Sequence, residues 1–201
     1  MEIHSQQHLR ERYDPPSDRA VRKQLAALDG HCRTFIAKSP FLVMGTAGGD
    51  GSLDVSPKGD APGFVAVLDD RTLLIPDRPG NNRLDGFSNL VGNPHVGLLF
   101  LIPGVNETLR INGRARLTTD RALLEPLAVQ GKVPVAGLRV EVQEAYLHCA
   151  KALIRSKLWN PASQVERSRL PTLGQMLADQ IGGNAGEMDR WTEEAYRTKL
   201  Y

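Results

Sequence analysis

From residue 108 to residue 117 the chain alternates without a break. Leu109, Ile111, Gly113, Ala115 and Leu117 fall on one side, and Arg110, Asn112, Arg114 and Arg116 fall on the other. A period of two is the mark of a strand with one buried and one wet face, so the chain must build a sheet with an inside and an outside. The run 95–102, HVGLLFLI, is apolar on both faces, which predicts a central strand buried on both sides. Strands are also predicted at 41–46 and 52–56, joined by the turn Ala47-Gly48-Gly49-Asp50-Gly51, and at 63–68 and 71–76, joined at Asp69-Asp70. In 135–148 the alternation Leu138, Val140, Val142 slips phase to Ala145 and Leu147. Such a slip predicts a bulge that re-aims Tyr146 and His148. Asn112-Gly113, in mid-strand, reads as a bulge or a close approach of two backbones. Six or seven short strands in meander order, with no strand–helix–strand repeat, predict a mainly β fold: an antiparallel barrel with flanking helices.

Helices are expected at both ends and in two crossovers. Ser17 reads as the N-cap of a helix that buries Val21, Leu25 and Leu28, followed by a helix over 31–38 that buries Phe35 and Ile36. Further helices are predicted over 81–92, 120–127, 149–159, 171–181 and 187–200. The 201 residues read as one domain, 1–201, with helical extensions at 1–38 and 149–201. A chain of this length buries about 70% of its unfolded surface, so it needs no covalent staple.

Composition narrows the partners. A net charge of +2, from 25 basic and 23 acidic residues, gives no electrostatic case for nucleic acid or an anionic membrane. Cys32 and Cys149, the only cysteines, make no disulfide framework. No signal-peptide pattern opens the chain and no apolar run is long enough to span a bilayer, so a cytoplasmic protein is expected. The five histidines, His4, His8, His31, His95 and His148, show no ligand spacing, and no metal site is expected. Motifs for a protein-borne nucleophile, a Walker loop or a dinucleotide fingerprint are absent. If the chain is an enzyme, a bound cofactor carries the chemistry.

Two polar stretches point to that cofactor. Ser56-Pro57-Lys58-Gly59 and Asp77-Arg78-Pro79-Gly80-Asn81-Asn82-Arg83 read as polar loops that each follow a predicted strand, and the second runs into a helix start. A helix N-terminus offers unpaired N–H groups and a positive dipole end. With Lys58, Arg78 and Arg83 beside it, the pair of stretches reads as a cradle for one phosphorylated cofactor.

The order S-P-K-G, P-D-R-P-G-N-N-R-L-D, N-P-H-V-G-L-L-F and L-R-I-N-G-R-A-R resembles the pyridoxamine 5′-phosphate oxidase-like, FMN-binding split-barrel family, over residues 39–161. The resemblance implies an antiparallel split barrel, a homodimer, and FMN at the subunit interface. It places Val55, Ser56, Pro57, Lys58 and Gly59 on the flavin-lining strand, with Lys58 as its closing cation. It puts Pro76 at the next cofactor contact, and Asn82 and Arg83 where the family has an Arg-Lys pair on the phosphate. Thr108 stands where a glutamine often reaches the flavin ring. Leu53 replaces the arginine usual at the start of the flavin strand. The substrate-binding C-terminal signature of true pyridoxamine phosphate oxidases is missing; YLHCAKALIRSKLWNP stands there instead. The expectation is a separate sub-group in which Lys151, Arg155 and Trp159 face the cofactor of the other subunit.

The function so implied is an FMN-dependent oxidoreductase that passes hydride or electrons from reduced flavin to a small acceptor, with its substrate and electron donor open. Its rivals are a flavin-binding carrier or sensor without turnover, and a split-barrel protein using a deazaflavin or haem. Haem would require His95 or His148 as axial ligand.

Overall fold

Backbone pairing in the computed structural model, which describes residues 2–201, follows the alternation. Seven strands form one antiparallel sheet: β1 (Phe41–Ala47), β2 (Leu53–Gly59), β3 (Ala66–Val67), β4 (Thr72–Pro76), β5 (His95–Leu101), β6 (Thr108–Thr118) and β7 (Gly137–His148). Their order is β2-β1-β5-β6-β7-β4-β3. The sheet curls without closing, so β2 and β3 are its edges and the barrel is split. Leu42, Met44, Leu98, Phe100, Leu109, Ile111, Leu138 and Val140 point inward and are essentially sealed from water. Each such aliphatic or aromatic side chain contributes about 1.5–3 kcal/mol relative to exposure. Helix α3 (Gly30–Lys38), capped by Asp29 on the Cys32 N–H, closes one mouth with Cys32, Phe35 and Ile36. Helix α4 (Asp85–Gly92) adds Leu90 and packs on β1, β2 and β6.

Several expectations are corrected. The N-terminal helix covers only α2 (Asp18–Arg22); Ser17 does cap it, but Val21 is 55% exposed. Leu25 instead forms an isolated β-bridge with Ala145, while Leu28 alone of the expected stripe enters the core. On β5, which lies third in the sheet, only Val96, Leu98 and Phe100 are sealed; Gly97, Leu99 and Leu101 stay half-exposed on the outer face. Ser56-Pro57-Lys58-Gly59 is not a loop but the end of β2. Pro57 is tolerated there, paired with Val43, because an edge strand has one unpaired side. The helix after β4 begins at Asp85 rather than at residue 81, because Asn82 and Leu84 both adopt positive φ (58° each). The remaining helices are α1 (Gln6–Arg10), α5 (Arg121–Leu124), α6 (Lys151–Ser156), α7 (Leu173–Ile181) and α8 (Ala185–Thr198). None is long and apolar enough to cross a membrane among the described residues.

The bulge lies where two separate signals meet. Asn112 pairs with Glu144 but Gly113 pairs with Val142, which leaves Gln143 unpaired on β7. A Cβ at Gly113 would collide with the Glu141 carbonyl oxygen, so the strands approach this closely only because the residue is glycine. Beyond the bulge Ala145 is buried, and Glu144, Tyr146 and His148 turn to the outer face.

Candidate functional site

Edge strand β2 and the loop 77–84 between β4 and α4 face one another across a cleft of about 870 Å³. That volume suits a drug- or cofactor-sized molecule. Inward-facing side chains of β2, Asp54, Ser56 and Lys58, line one wall; the loop, the start of α4 and residues 132–136 complete it. Met44 and Phe87 supply apolar surface. The outer backbone edge of β2 has no neighbouring strand, so its N–H and C=O groups are available to whatever fills the cleft.

Three features of the lining look for a partner. The Ser56 Oγ is buried and makes no hydrogen bond among the described residues. Lys58 Nζ lies 5.2 Å from the centre of the Phe87 ring, and no carboxylate comes within 4.0 Å of it among the described residues. The first turn of α4 has Leu84 at its N-cap, so no side chain accepts from its free N–H groups. Helix and strand can lie this close because residue 86 is glycine. A Cβ there would stand 2.9 Å from Asp54 Oδ2 and 3.1 Å from Met44 Cε. Asn82 and Leu84 hold left-handed backbone conformations beside the cleft, a strain of about 1–2 kcal/mol per non-glycine residue that clusters at binding loops.

The other predicted cations are already engaged. Arg78 Nε donates to Asp60 Oδ2 (2.6 Å) and its Nη1 to the Leu127 carbonyl (3.0 Å). This ion pair is interior, with the Asp60 side chain 3% exposed. Burial raises the Asp60 pKa, but hydrogen bonds from Tyr201, the Ala61 N–H and Arg78 outweigh it and hold the carboxyl below its ordinary value. Arg83 lies on the rim, donating from Nε to Asp85 Oδ2 (2.7 Å). In the cleft, desolvation pushes the Asp77 carboxyl upward against the pull of Lys58 and Arg78.

Of the predicted site residues, Val55, Ser56, Pro57, Lys58, Arg78, Asn82 and Arg83 meet in this cleft. Gly59 and Pro76 end the strands just outside it. The rest lie elsewhere in the protomer. Thr108 is buried opposite His148. Lys151 and Arg155 are exposed on α6. Trp159 Nε1 donates to the Val105 carbonyl (2.8 Å), which fastens it to the β5–β6 connection. His95 is exposed on β5, with Arg114 Nη1 3.4 Å from its Nε2. No group of three or more His, Cys, Asp or Glu fit for a metal occurs among the described residues.

The sequence reading missed Asp60, Lys132 and Tyr201, and it placed Asp77 in the cradle without giving it a role. Tyr201 reaches back 141 positions to donate its hydroxyl to Asp60 Oδ1 (2.7 Å), its ring centre is 5.9 Å from the Arg78 guanidinium, and its carbonyl accepts from Lys132 Nζ (2.6 Å). Nothing local announces such a contact. Asp60 was legible only as the residue after the S-P-K-G stretch.

The family profile described as pyridoxamine 5′-phosphate oxidase matches residues 28–149. No curated protein sequence matches the chain significantly. Among solved structures, a pyridoxamine 5′-phosphate oxidase-like protein of Lactobacillus delbrueckii is 18% identical over 62% of this chain and 98% of its own, with a TM-score of 0.49. HupZ of Group A Streptococcus is 18% identical over 60% of this chain and 93% of its own (TM-score 0.48). An FMN-binding protein of Syntrophomonas wolfei is 10% identical over 58% and 83% (TM-score 0.47).

Proposed function

The chain belongs to the pyridoxamine 5′-phosphate oxidase family, and from that membership and the cleft we propose that it is an FMN-binding oxidoreductase. The observation that carries the proposal is the lining of the cleft: an unpartnered cation at Lys58, an orphaned hydroxyl at Ser56, a free strand edge and an uncapped helix start, all in a space of cofactor size. FMN has a dianionic phosphate and a flat ring with a polar rim, and these donors fit both. Lys58 and the free N–H groups of the loop and α4 hold the phosphate, and each charge-assisted hydrogen bond contributes about 1.5–3 kcal/mol. Arg83, with its Nε on Asp85 and its Nη groups free among the described residues, can reach it from the rim. Arg78 acts behind the lining, where its pair with Asp60 anchors the loop that carries Asn81 and Asn82.

Bound flavin supplies hydride or electrons to a small acceptor; the protein supplies orientation and exclusion of water. Backbone groups of Val55 to Gly59 orient the ring. Thr108, Lys151, Arg155 and Trp159 take part only if a second copy brings them to the cleft, and the proposed assembly is therefore a homodimer with the cofactor between protomers. The whole chain, 1–201, acts as one unit in this reading.

The absorption spectrum tests the reading. Protein incubated with FMN and then gel-filtered should carry the bands of oxidised flavin at one cofactor per chain, and NADH or NADPH should bleach them. Protein that emerges colourless would remove the proposal; protein that holds FMN but never bleaches with any donor would reduce it to a flavin carrier.

A further inference from the structure

On the outer face of the sheet a single aromatic ring is flanked by two cations. The Arg110 guanidinium lies 5.3 Å from the centre of the Tyr146 ring, and Lys23 Nζ lies 5.5 Å from it. His148, two residues further along the same face of β7, has an Nδ1 that is buried and without a hydrogen-bond partner among the described residues.

The fold assembles this cluster from three separate parts of the chain. Leu25 and Ala145 exchange backbone hydrogen bonds of 3.0 and 2.8 Å, which draws the N-terminal segment onto β7 just past the bulge. Lys23 is fixed there by donating from Nζ to the Leu147 carbonyl (2.9 Å). The register of β6 on β7 sets Arg110 opposite Tyr146 and Thr108 opposite His148. The bulge at Gln143 is what turns Tyr146 and His148 outward; without it they would face the core.

No carboxylate lies within 4.0 Å of Lys23 or Arg110 among the described residues. The acid on this stretch of β7, Glu144, accepts a hydrogen bond from Asn112 Nδ2 (2.9 Å). Burial, then Arg110 and Lys23, hold His148 below its ordinary pKa. Three basic groups held together half out of water oppose one another, and an anion between them removes that cost.

We propose that Lys23, Arg110 and His148 form a binding site for an oxyanion, the carboxylate or phosphate group of a small molecule. Arg110 offers a planar fork suited to two oxygens, Lys23 a point charge, and His148 a second N–H once protonated. The site shares no residue with the cleft of the same protomer, so its test needs no bound flavin.

The test follows the His148 ring protons by NMR through a pH titration, with His148→Gln to assign them. The titration is run in sodium sulfate and in sodium chloride at equal ionic strength, so that screening is the same in both. Sulfate should raise the His148 pKa by about one unit over chloride, as an opposite charge at hydrogen-bonding range does, while His4, His8, His31 and His95 do not follow. Sodium acetate should act in the same direction and so extend the site to carboxylates. Lys23→Met, at an exposed position outside the barrel, and Arg110→Met should each abolish the sulfate effect. Equal pKa values in the two salts would overturn the proposal. So would a His148 pKa that tracks protein concentration rather than sulfate, since an acid of a second copy would then fill the site.

Discussion

Lys58 and Arg78 bring the same charge to the same cleft, yet they are not equivalent there. Arg78 is enclosed, and Asp60 and the Leu127 carbonyl take up its Nε and Nη1. Lys58 rests against an aromatic face and has no counter-ion in ion-pair range among the described residues. The two substitutions should therefore fail in different ways. Lys58→Met should weaken FMN about 10- to 100-fold, the loss of one charge-assisted contact, and leave riboflavin, which lacks the phosphate, nearly unchanged. Paired titrations by flavin-fluorescence quenching check this; equal losses for both ligands would take Lys58 off the phosphate. Arg78→Met leaves the Asp60 carboxylate buried without its cation and should destabilise the fold by about 3–5 kcal/mol, seen as a lower midpoint in urea. Such a difference was not legible in the sequence, where both residues are cations after a strand. It depends on Asp60 and Leu127, which lie 18 and 49 positions away from Arg78.

Among the elements, β6 and β7 show what a pattern of residues can and cannot announce. The slip of phase between Val142 and Ala145 and the glycine at 113 were each visible alone. That they face each other, with Gln143 as the extra residue, follows from the register. Gly113→Val should cost at least about 2 kcal/mol by chemical denaturation, because backbone of β7 occupies the space the side chain needs. Gly92→Ala, with nothing within 4 Å of the new methyl, should be neutral or stabilising by roughly 1 kcal/mol. The helix after the cleft tells the opposite story. Its sequence permits a start at residue 81, but the positive φ values at Asn82 and Leu84 delay it to Asp85, and the delay leaves a loop long enough to line the cleft.

For the whole molecule the outer face of the sheet is the unfinished part. Leu53 is 80% and Val55 70% exposed, and Phe41, Val43, Leu99 and Leu101 continue their apolar surface across β1 and β5. A patch of this kind on a folded sheet marks a surface made to be covered, and it is the face the proposed dimer would bury. Sedimentation should show a dimer for the native chain and a monomer for Leu53→Asp with Val55→Asp. If FMN sits between protomers, the monomer should also lose it. A monomeric native chain that retains FMN would contradict the shared site.

The alternation of apolar and polar residues, the turn glycines and the absence of any strand–helix–strand repeat were enough to determine an antiparallel sheet with an inside, because side-chain period and turn chemistry are local properties. Cations placed after two strands and before a helix start also marked two chain segments that line the cleft. Only the tertiary structure decided which cations in that cleft are free, which acids neutralise the others, and that Tyr201 and Lys23 reach sites more than 100 positions away. Charge pairing and burial depend on what the fold brings within a few ångströms, and no local pattern encodes that distance.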